Sequence, residues 1–358
     1  MAARLILALA LSGSALAVAL EPGDVKGAAD KAANFLVRQH NLGEGTFGRS
    51  KYARLPGVCG LAVVALCESP RQYREAVGPF VSQPVKYLLR CQRGDGAITI
   101  EGAGLDSYNT ALAILALKSA DNPAHGQAIA RARQYLLRCQ AQGGGFAYNH
   151  GLETAGDMSN TWTALEALEA AGLEKNSEVY RRALAFVRRC QDNAETNPDL
   201  AGTKSPGSGG GVYRPAAGAQ QPAKGEGPPK PYGSMTAALI RSFKACGLTA
   251  EAPELRSALA WFRNNYSIQE NPGMGMKGYF YYVWALSRAL DSLGQKEVEL
   301  ADGRKAPWAG ELAAKLISMQ AKDGSFVNAA EQWMEQDPVL CTAYALQALS
   351  KCHQAMRK

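Results

Sequence analysis

The 358-residue chain is poor in the signatures that most readily announce a chemistry. It has four histidines, His40, His125, His150 and His353, and the pattern places two in turns and two at the ends of repeat units. There is no C-x-x-C pair and no Cys/His cluster at zinc-finger spacing, so no metal site is expected. No run alternates apolar and polar residues with period two, which excludes a β-rich fold. The formal charge of +7 is spread thinly, without a basic stripe interleaved with aromatics, so no nucleic acid is expected as a partner. The densest basic run, Arg181, Arg182, Arg188 and Arg189, reads as the solvated outer face of one helix. After Leu20 no apolar run approaches the roughly 20 residues that cross a bilayer.

What is present is a globular composition, 47% apolar and 20% charged. The first residues, "MAARLILALALSGSALAVALEPGD", carry one arginine, an apolar run and then small residues that fit A-x-A cleavage. Residues 1–19 therefore read as a signal peptide and the mature chain, from residue 20, as an exported protein with no stable membrane span. Export permits disulfides. Yet Cys91, Cys139 and Cys190 hold one place in successive repeats, about one helix-packing distance of 8–10 Å apart, whereas a disulfide needs Cα atoms within about 7 Å. They read as small buried hydrophobes.

The dominant feature is internal repetition. "YLLRCQRGDGAI", "YLLRCQAQGGGFAY" and "FVRRCQDNAET" place Gln92, Gln140 and Gln191 at intervals of 48 and 51 residues. Six units of about this length can be written between Ala28 and Cys352. Each holds a first helix ending near Gln, a glycine turn, a polar loop and a second helix dense in Ala and Leu. In the second unit Leu112, Leu115 and Ala116 recur at helical spacing. Asp106 and Asp157, ahead of "SYNT" and "MSNT", are expected to cap second helices, and the glycines to end first helices. A segment over residues 192–231, rich in Gly, Pro, Ser and Ala, interrupts unit four as a long loop. Within it "GGGVY" (Gly209 to Tyr213) repeats the glycine–aromatic turn and is expected to be ordered.

An aliphatic helix end, then Gln, then glycine with an aromatic: "LLRCQRGDGAI", "LLRCQAQGGGF" and "LISMQAKDGSF" resemble the repeat of the squalene cyclase and protein prenyltransferase superfamily. The resemblance spans nearly the whole mature chain. It implies an all-α fold, an (α/α)6 toroid of inner and outer helix rings, with ligand chemistry inside the ring. An open solenoid, which would need polar end repeats, stays open on sequence alone. The glycines and glutamines read as architecture, so function belongs to the inward ends of the inner helices.

The superfamily's two chemistries need particular residues. Its cyclases protonate an alkene with the central acid of D-x-D-D-T. Here "DSYNT" and "DMSNT" put Tyr108 and Ser159 at that place, and a phenol with pKa near 10 is no such acid. Its protein prenyltransferases hold zinc with Asp, Cys and His, where this chain has Lys277, Tyr279 and Cys341. A thioester ring would need Gln near "PGVCGLAV", which has none. No metal or other cofactor is expected.

The remaining candidates are the acids Asp106, Asp157 and Asp337 at inner-helix starts, with Glu153 in a preceding loop. Tyr108, Trp162, Tyr281 and Trp284 are the candidate ligand wall, and Tyr148 and Trp333 are further rings suited to stacking. The leading expectation is a binding module with an apolar, aromatic-lined cavity for an isoprenoid or lipid. The alternatives are a divergent isoprenoid cyclase or transferase, and a polysaccharide-active enzyme. Two carboxylates about 5–10 Å apart would favour the glycan enzyme. One desolvated Asp beside aromatics would favour the isoprenoid enzyme.

Overall fold

The computed structural model describes residues 20–150, 155–203, 207–215 and 230–358. The expected leader over residues 1–19, the candidate Glu153 and the middle of the insertion lie outside the described residues.

Twelve helices alternate between two rings among the described residues. The outer six are α1 (Pro22–Gln39), α3 (Pro79–Arg90), α5 (Gly126–Arg138), α7 (Glu178–Arg189), α9 (Pro253–Asn265) and α11 (Trp308–Met319). The inner six are α2 (Pro56–Glu68), α4 (Asp106–Ser119), α6 (Met158–Ala170), α8 (Gly233–Ala245), α10 (Tyr279–Ser292) and α12 (Pro338–Met356). Each inner helix packs on the next, and α12 packs on α2, so the ring is closed. That closure rules out the open solenoid. Strand is confined to two hairpins of two-residue strands, His40–Asn41 with Thr46–Phe47 and Val298–Glu299 with Lys305–Ala306.

Sequence separates the two rings by their faces. An outer helix such as α7 buries Tyr180, Ala183, Phe186 and Val187 along one stripe and shows charge on the other side. An inner helix is covered all round, and every residue of α2 from Pro56 to Cys67 is buried. Small residues let these helices approach: a Cβ on Gly60 would lie 2.8 Å from the carbonyl oxygen of Leu112.

The repeated glutamine is the tie between units. Gln140 Nε2 donates to the carbonyls of Gly144 and Val179, each at 2.9 Å, joining its own turn to the first turn of α7. Gln92 does the same with Gly96 and Ala128 in α5, and Gln191 with Gly209 and Glu254 in α9. Gln320 reaches Gly324 and Ala28 in α1, which joins the last unit to the first. The turn glycine is obligatory: Gly144 has φ of 90° and lies against the Arg182 carbonyl, where a side chain would collide. A threonine completes each clasp, as Thr161 Oγ1 accepts from Phe146 N at 2.9 Å. Gly209 to Tyr213 makes the same turn as expected, with Gly211 N on Thr236 Oγ1 at 3.0 Å.

Two expectations change. The α7 arginines are not simply solvated: Arg182 donates to the Ala141 carbonyl at 2.7 Å, Arg188 pairs with Glu254 and Arg189 with Asp199. Only Arg181 stays on the open face, beside Glu178. Asp106 is the first residue of α4 rather than its cap, and that helix has no side-chain cap. The repeat cysteines each stand at the C-terminal cap of an outer helix, Cys139 and Cys190 buried and Cys91 partly so.

Candidate functional site

The inner helices begin at one end of the ring, and the loops that reach this mouth bring the chemistry. Incoming turns satisfy the starts of α4, α6 and α8 through backbone carbonyls. Tyr148 O accepts from Ser107 N at 2.8 Å and Tyr213 O accepts from Met158 N at 2.9 Å. Helix starts carry unpaired N–H groups that need such partners. The same anchoring fixes the two tyrosine side chains, whose hydroxyls meet at 2.9 Å. Tyr232, the cap residue of α8, is a third partly buried tyrosine here.

Asp157 sits among them with no exposed surface. It is the expected helix cap: one carboxylate oxygen accepts from Asn160 N and the other from Asn160 Nδ2, both at 2.9 Å. Loss of water raises its pKa to about 6, against the pull of Asn160's hydrogen bonds and the Arg214 charge. Burial likewise pushes the phenols of Tyr148, Tyr213 and Tyr232 up, and the nearby Asp157 charge adds to it. Asn160 Oδ1 is a buried acceptor without a hydrogen-bond partner.

One turn into the ring lies an aromatic layer. Trp162 and Trp284 stack with centroids 4.5 Å apart. Tyr281 lies 5.8 Å from Trp162 and 5.7 Å from Trp284, and Tyr344 of α12 closes the group 5.1 Å from Trp284. Trp284 Nε1 donates to Gln347 at 2.9 Å. Tyr108 lies beside Tyr344 and Thr163, its phenol pushed up to about 12 by burial. The four candidate wall residues therefore do converge, and the rings pack on one another. Ser159, which with Tyr108 is one of the two residues at the central position of the "DSYNT" and "DMSNT" motifs, has its hydroxyl 3.1 Å from that of Tyr281.

The three candidate acids start three different inner helices, and no hydrogen bond joins one to another. Asp106 pairs with Arg93 at 3.0 Å and accepts from Thr99 at 3.0 Å. Asp337 caps α12 through Leu340 N at 2.9 Å and accepts from Ser50. Asp157 alone of the three is both sealed from water and beside the tyrosines. Trp333 stands apart from the layer, 58% exposed on a left-handed backbone (φ 55°) above Gly278. Tyr279 spends its hydroxyl on the Ile268 carbonyl at 2.6 Å and Cys341 its thiol on the Glu335 carbonyl at 2.9 Å. Lys277 is exposed. Among the described residues no three His, Cys, Asp or Glu side chains group as a metal site.

Sequence reasoning passed over several residues that matter. Glu335 is buried and accepts from Tyr281 N at 2.8 Å, serving as the acid cap that α10 lacks at Gly278. Burial raises its pKa. At the other end of the inner ring Glu166 accepts from Trp162 Nε1 at 2.9 Å and Arg241 Nε at 2.7 Å, with Arg288 Nη2 at 3.3 Å. Burial would raise its pKa, but Arg288 and Arg241 outweigh that and hold it at about 2. The visible signal for these is a lone charge in an apolar helix: "TALEAL", "ALIRSF", "ALSRAL".

Comparisons with known proteins agree with this architecture. The type II terpene cyclase MstE from Scytonema, without ligand, superposes with a TM-score of 0.59 at 15% identity, covering 94% of this chain and 100% of the cyclase. An unsaturated glucuronyl hydrolase specific for heparin gives 0.56 at 13%, covering 93% and 98%. A variant of the Streptococcus agalactiae unsaturated glucuronyl hydrolase gives 0.55 at 10%, covering 93% and 92%. At such identities the likeness speaks for fold. No curated protein sequence matches. The model of the prenyltransferase alpha-alpha toroid domain matches residues 9–210, more than half of the chain, and with the closed double ring this places the protein in the prenyltransferase α–α toroid family.

Proposed function

We propose that the protein is an exported binding module of this family, which seats an apolar chain with a polar head against the tyrosine-lined mouth and does not initiate a cyclisation. The observation that carries the reading is Ser159. It stands where a cyclase needs its acid, and its hydroxyl is engaged with Tyr281. A serine hydroxyl cannot protonate an alkene. The mouth offers half-buried tyrosine rings for an apolar chain and their hydroxyls for a polar head. Isoprenoid is the preferred ligand class, since a variant of MstE has been solved with geranylgeranyl dihydroxybenzoate as its substrate. Export rests on the leader-like first 19 residues.

Native mass spectrometry of the mature protein, followed by incubation with squalene and a geranylgeranyl aryl ether, tests this. The expected result is a bound isoprenoid-mass species, recovered unchanged, with binding weakened by Tyr281→Ala. A cyclised product overturns the binding reading, and an empty protein that takes up neither compound overturns the ligand class. Export is checked by cell fractionation with N-terminal sequencing; recovery in the cytoplasm alone, with an intact Met1 start, removes it.

A second reading, acid–base catalysis, is favoured by the pKa of about 6 at Asp157. It requires turnover that is lost in Asp157→Asn with the fold intact.

A further inference from the structure

The mouth is one end of the ring; the opposite end holds a site of different character. The C-terminal turns of the inner helices surround a cavity of about 320 Å³ lined by Glu68, Leu115, Lys118, Ser119, Glu166, Glu169, Ala170, Arg241 and Arg288. That volume is at the lower end of the roughly 300–1,000 Å³ typical of small-molecule sites. Only Leu115 and Ala170 are aliphatic, so the cavity does not suit a hydrocarbon.

Its charges are unevenly spent. Each carboxylate is committed: Glu166 to Arg241, Arg288 and Trp162, Glu68 to Arg288 at 3.2 Å, and Glu169 to Lys175 at 2.6 Å. Some of the cationic nitrogens are not. Arg241 uses only Nε, on Glu166, and its two terminal nitrogens have no partner among the described residues. Arg288 Nε is buried without a partner. Lys118 is exposed at the rim and makes no ion pair among the described residues. The wall carries three cations, Lys118, Arg241 and Arg288, against three carboxylates, and Lys175, outside the lining, neutralises Glu169.

Burying an acid between two arginines is not a route to stability in itself, because the desolvation of the charges offsets their attraction. What the arrangement does provide is a held guanidinium. Glu166 holds Arg241 by Nε and leaves the two terminal nitrogens of this cavity-lining residue unspent, a fork able to take a carboxylate by two parallel hydrogen bonds.

We infer that this cavity is a second binding site, for a small hydroxylated monocarboxylate of the sugar-acid type. The Arg241 fork and Lys118 take the carboxylate, and the polar wall, with Ser119, takes the hydroxyls. The site is separate from the tyrosine mouth and does not depend on the function proposed for it. Trp162 links the two, since its ring belongs to the aromatic layer and its Nε1 donates to Glu166.

Isothermal titration with D-glucuronate, against D-glucose as the neutral sugar of similar body, tests the inference, with tryptophan emission followed on the same samples. Glucuronate is expected to bind and glucose to bind at least about tenfold more weakly, the loss of one charge-assisted contact. Arg241→Lys keeps the charge but not the fork, and is expected to weaken glucuronate by a similar factor. Lys118→Ala, at an exposed position that leaves the fold unburdened, should weaken it about threefold and reduce its salt dependence. Arg181→Ala, on the open face of the outer helix α7, should leave glucuronate binding unchanged. Equal binding of the two sugars, or no binding of glucuronate, overturns the inference. So does an unchanged affinity in Lys118→Ala, which decides the matter if Arg241→Lys does not fold.

Discussion

Asp157 and Glu166 stand on the same inner helix or at its cap, nine residues apart, and both are almost wholly buried. Burial acts on them alike, yet they end far apart: Asp157 is lifted to about 6 and Glu166 is held at about 2. The difference lies in what each oxygen meets. Asp157 meets the backbone and side-chain amides of Asn160. Glu166 meets two guanidinium groups and an indole. Amide donors repay part of the cost of leaving water; a neighbouring full charge repays more than all of it. One end of the ring thus holds an acid near its titration point, and the other a permanent anion.

The largest expected effect comes from removing the anion. Glu166→Gln takes from Arg241 its one ion-pair partner among the described residues and leaves Arg288 with Glu68 alone, and unfolding in urea at pH 7 should show a loss of about 3–5 kcal/mol. A loss below about 1 kcal/mol would mean that water, not Glu166, serves the two arginines. Next is the pH dependence, which runs in opposite senses. Asp157 binds its proton more tightly folded than unfolded, so stability falls as pH rises from about 4 to 6, by up to about 3 kcal/mol. Asp157→Asn should flatten that slope. Glu166 is depressed from the ordinary value of 4.5 to about 2, so its contribution is complete above about 4.5 and disappears as pH falls toward 2. Glu166→Gln should remove that acid limb only. If one substitution alters both limbs, the two acids are coupled through α6 and the comparison fails.

A smaller effect separates the ring from its contents. Gln140→Ala removes two bonds to carbonyls and should cost about 1–3 kcal/mol in the same urea series. It should leave both pH limbs in place. The smallest is Tyr281→Phe, which loses only the contact with Ser159 and should cost less than about 1.5 kcal/mol. A larger cost would show that the tyrosine hydroxyls hold the aromatic layer together.

The toroid could be read from the chain because its repeat residues each answer a local need that sequence displays. Gln140 needs two carbonyls, Gly144 needs a left-handed backbone, and Thr161 needs a donor, and the glycine follows the glutamine by four residues in three of the four clasps. The candidate site was legible only in part. "DSYNT" and "DMSNT" look alike, yet Asp157 caps its helix and Asp106 is drawn aside by Arg93 and Thr99. That choice is made by neighbours far outside the motif. Tyr344 joins the aromatic group from unit six, and Tyr213 and Tyr232 from unit four, which no local pattern records. Glu166, Arg241 and Arg288 are 75 and 122 residues apart along the chain and meet only because the ring closes.

That closure has a consequence for how the chain is written. The bond from Gln320 to Ala28 makes the last unit as much a neighbour of the first as any other, and His353 Nδ1 lies 3.0 Å from the carbonyl of Pro22. The order of units is therefore a convention of the gene and not of the object. A circular permutant, joined across Pro22 and His353 and opened between α8 and α9, would spell the same ring from a different first letter.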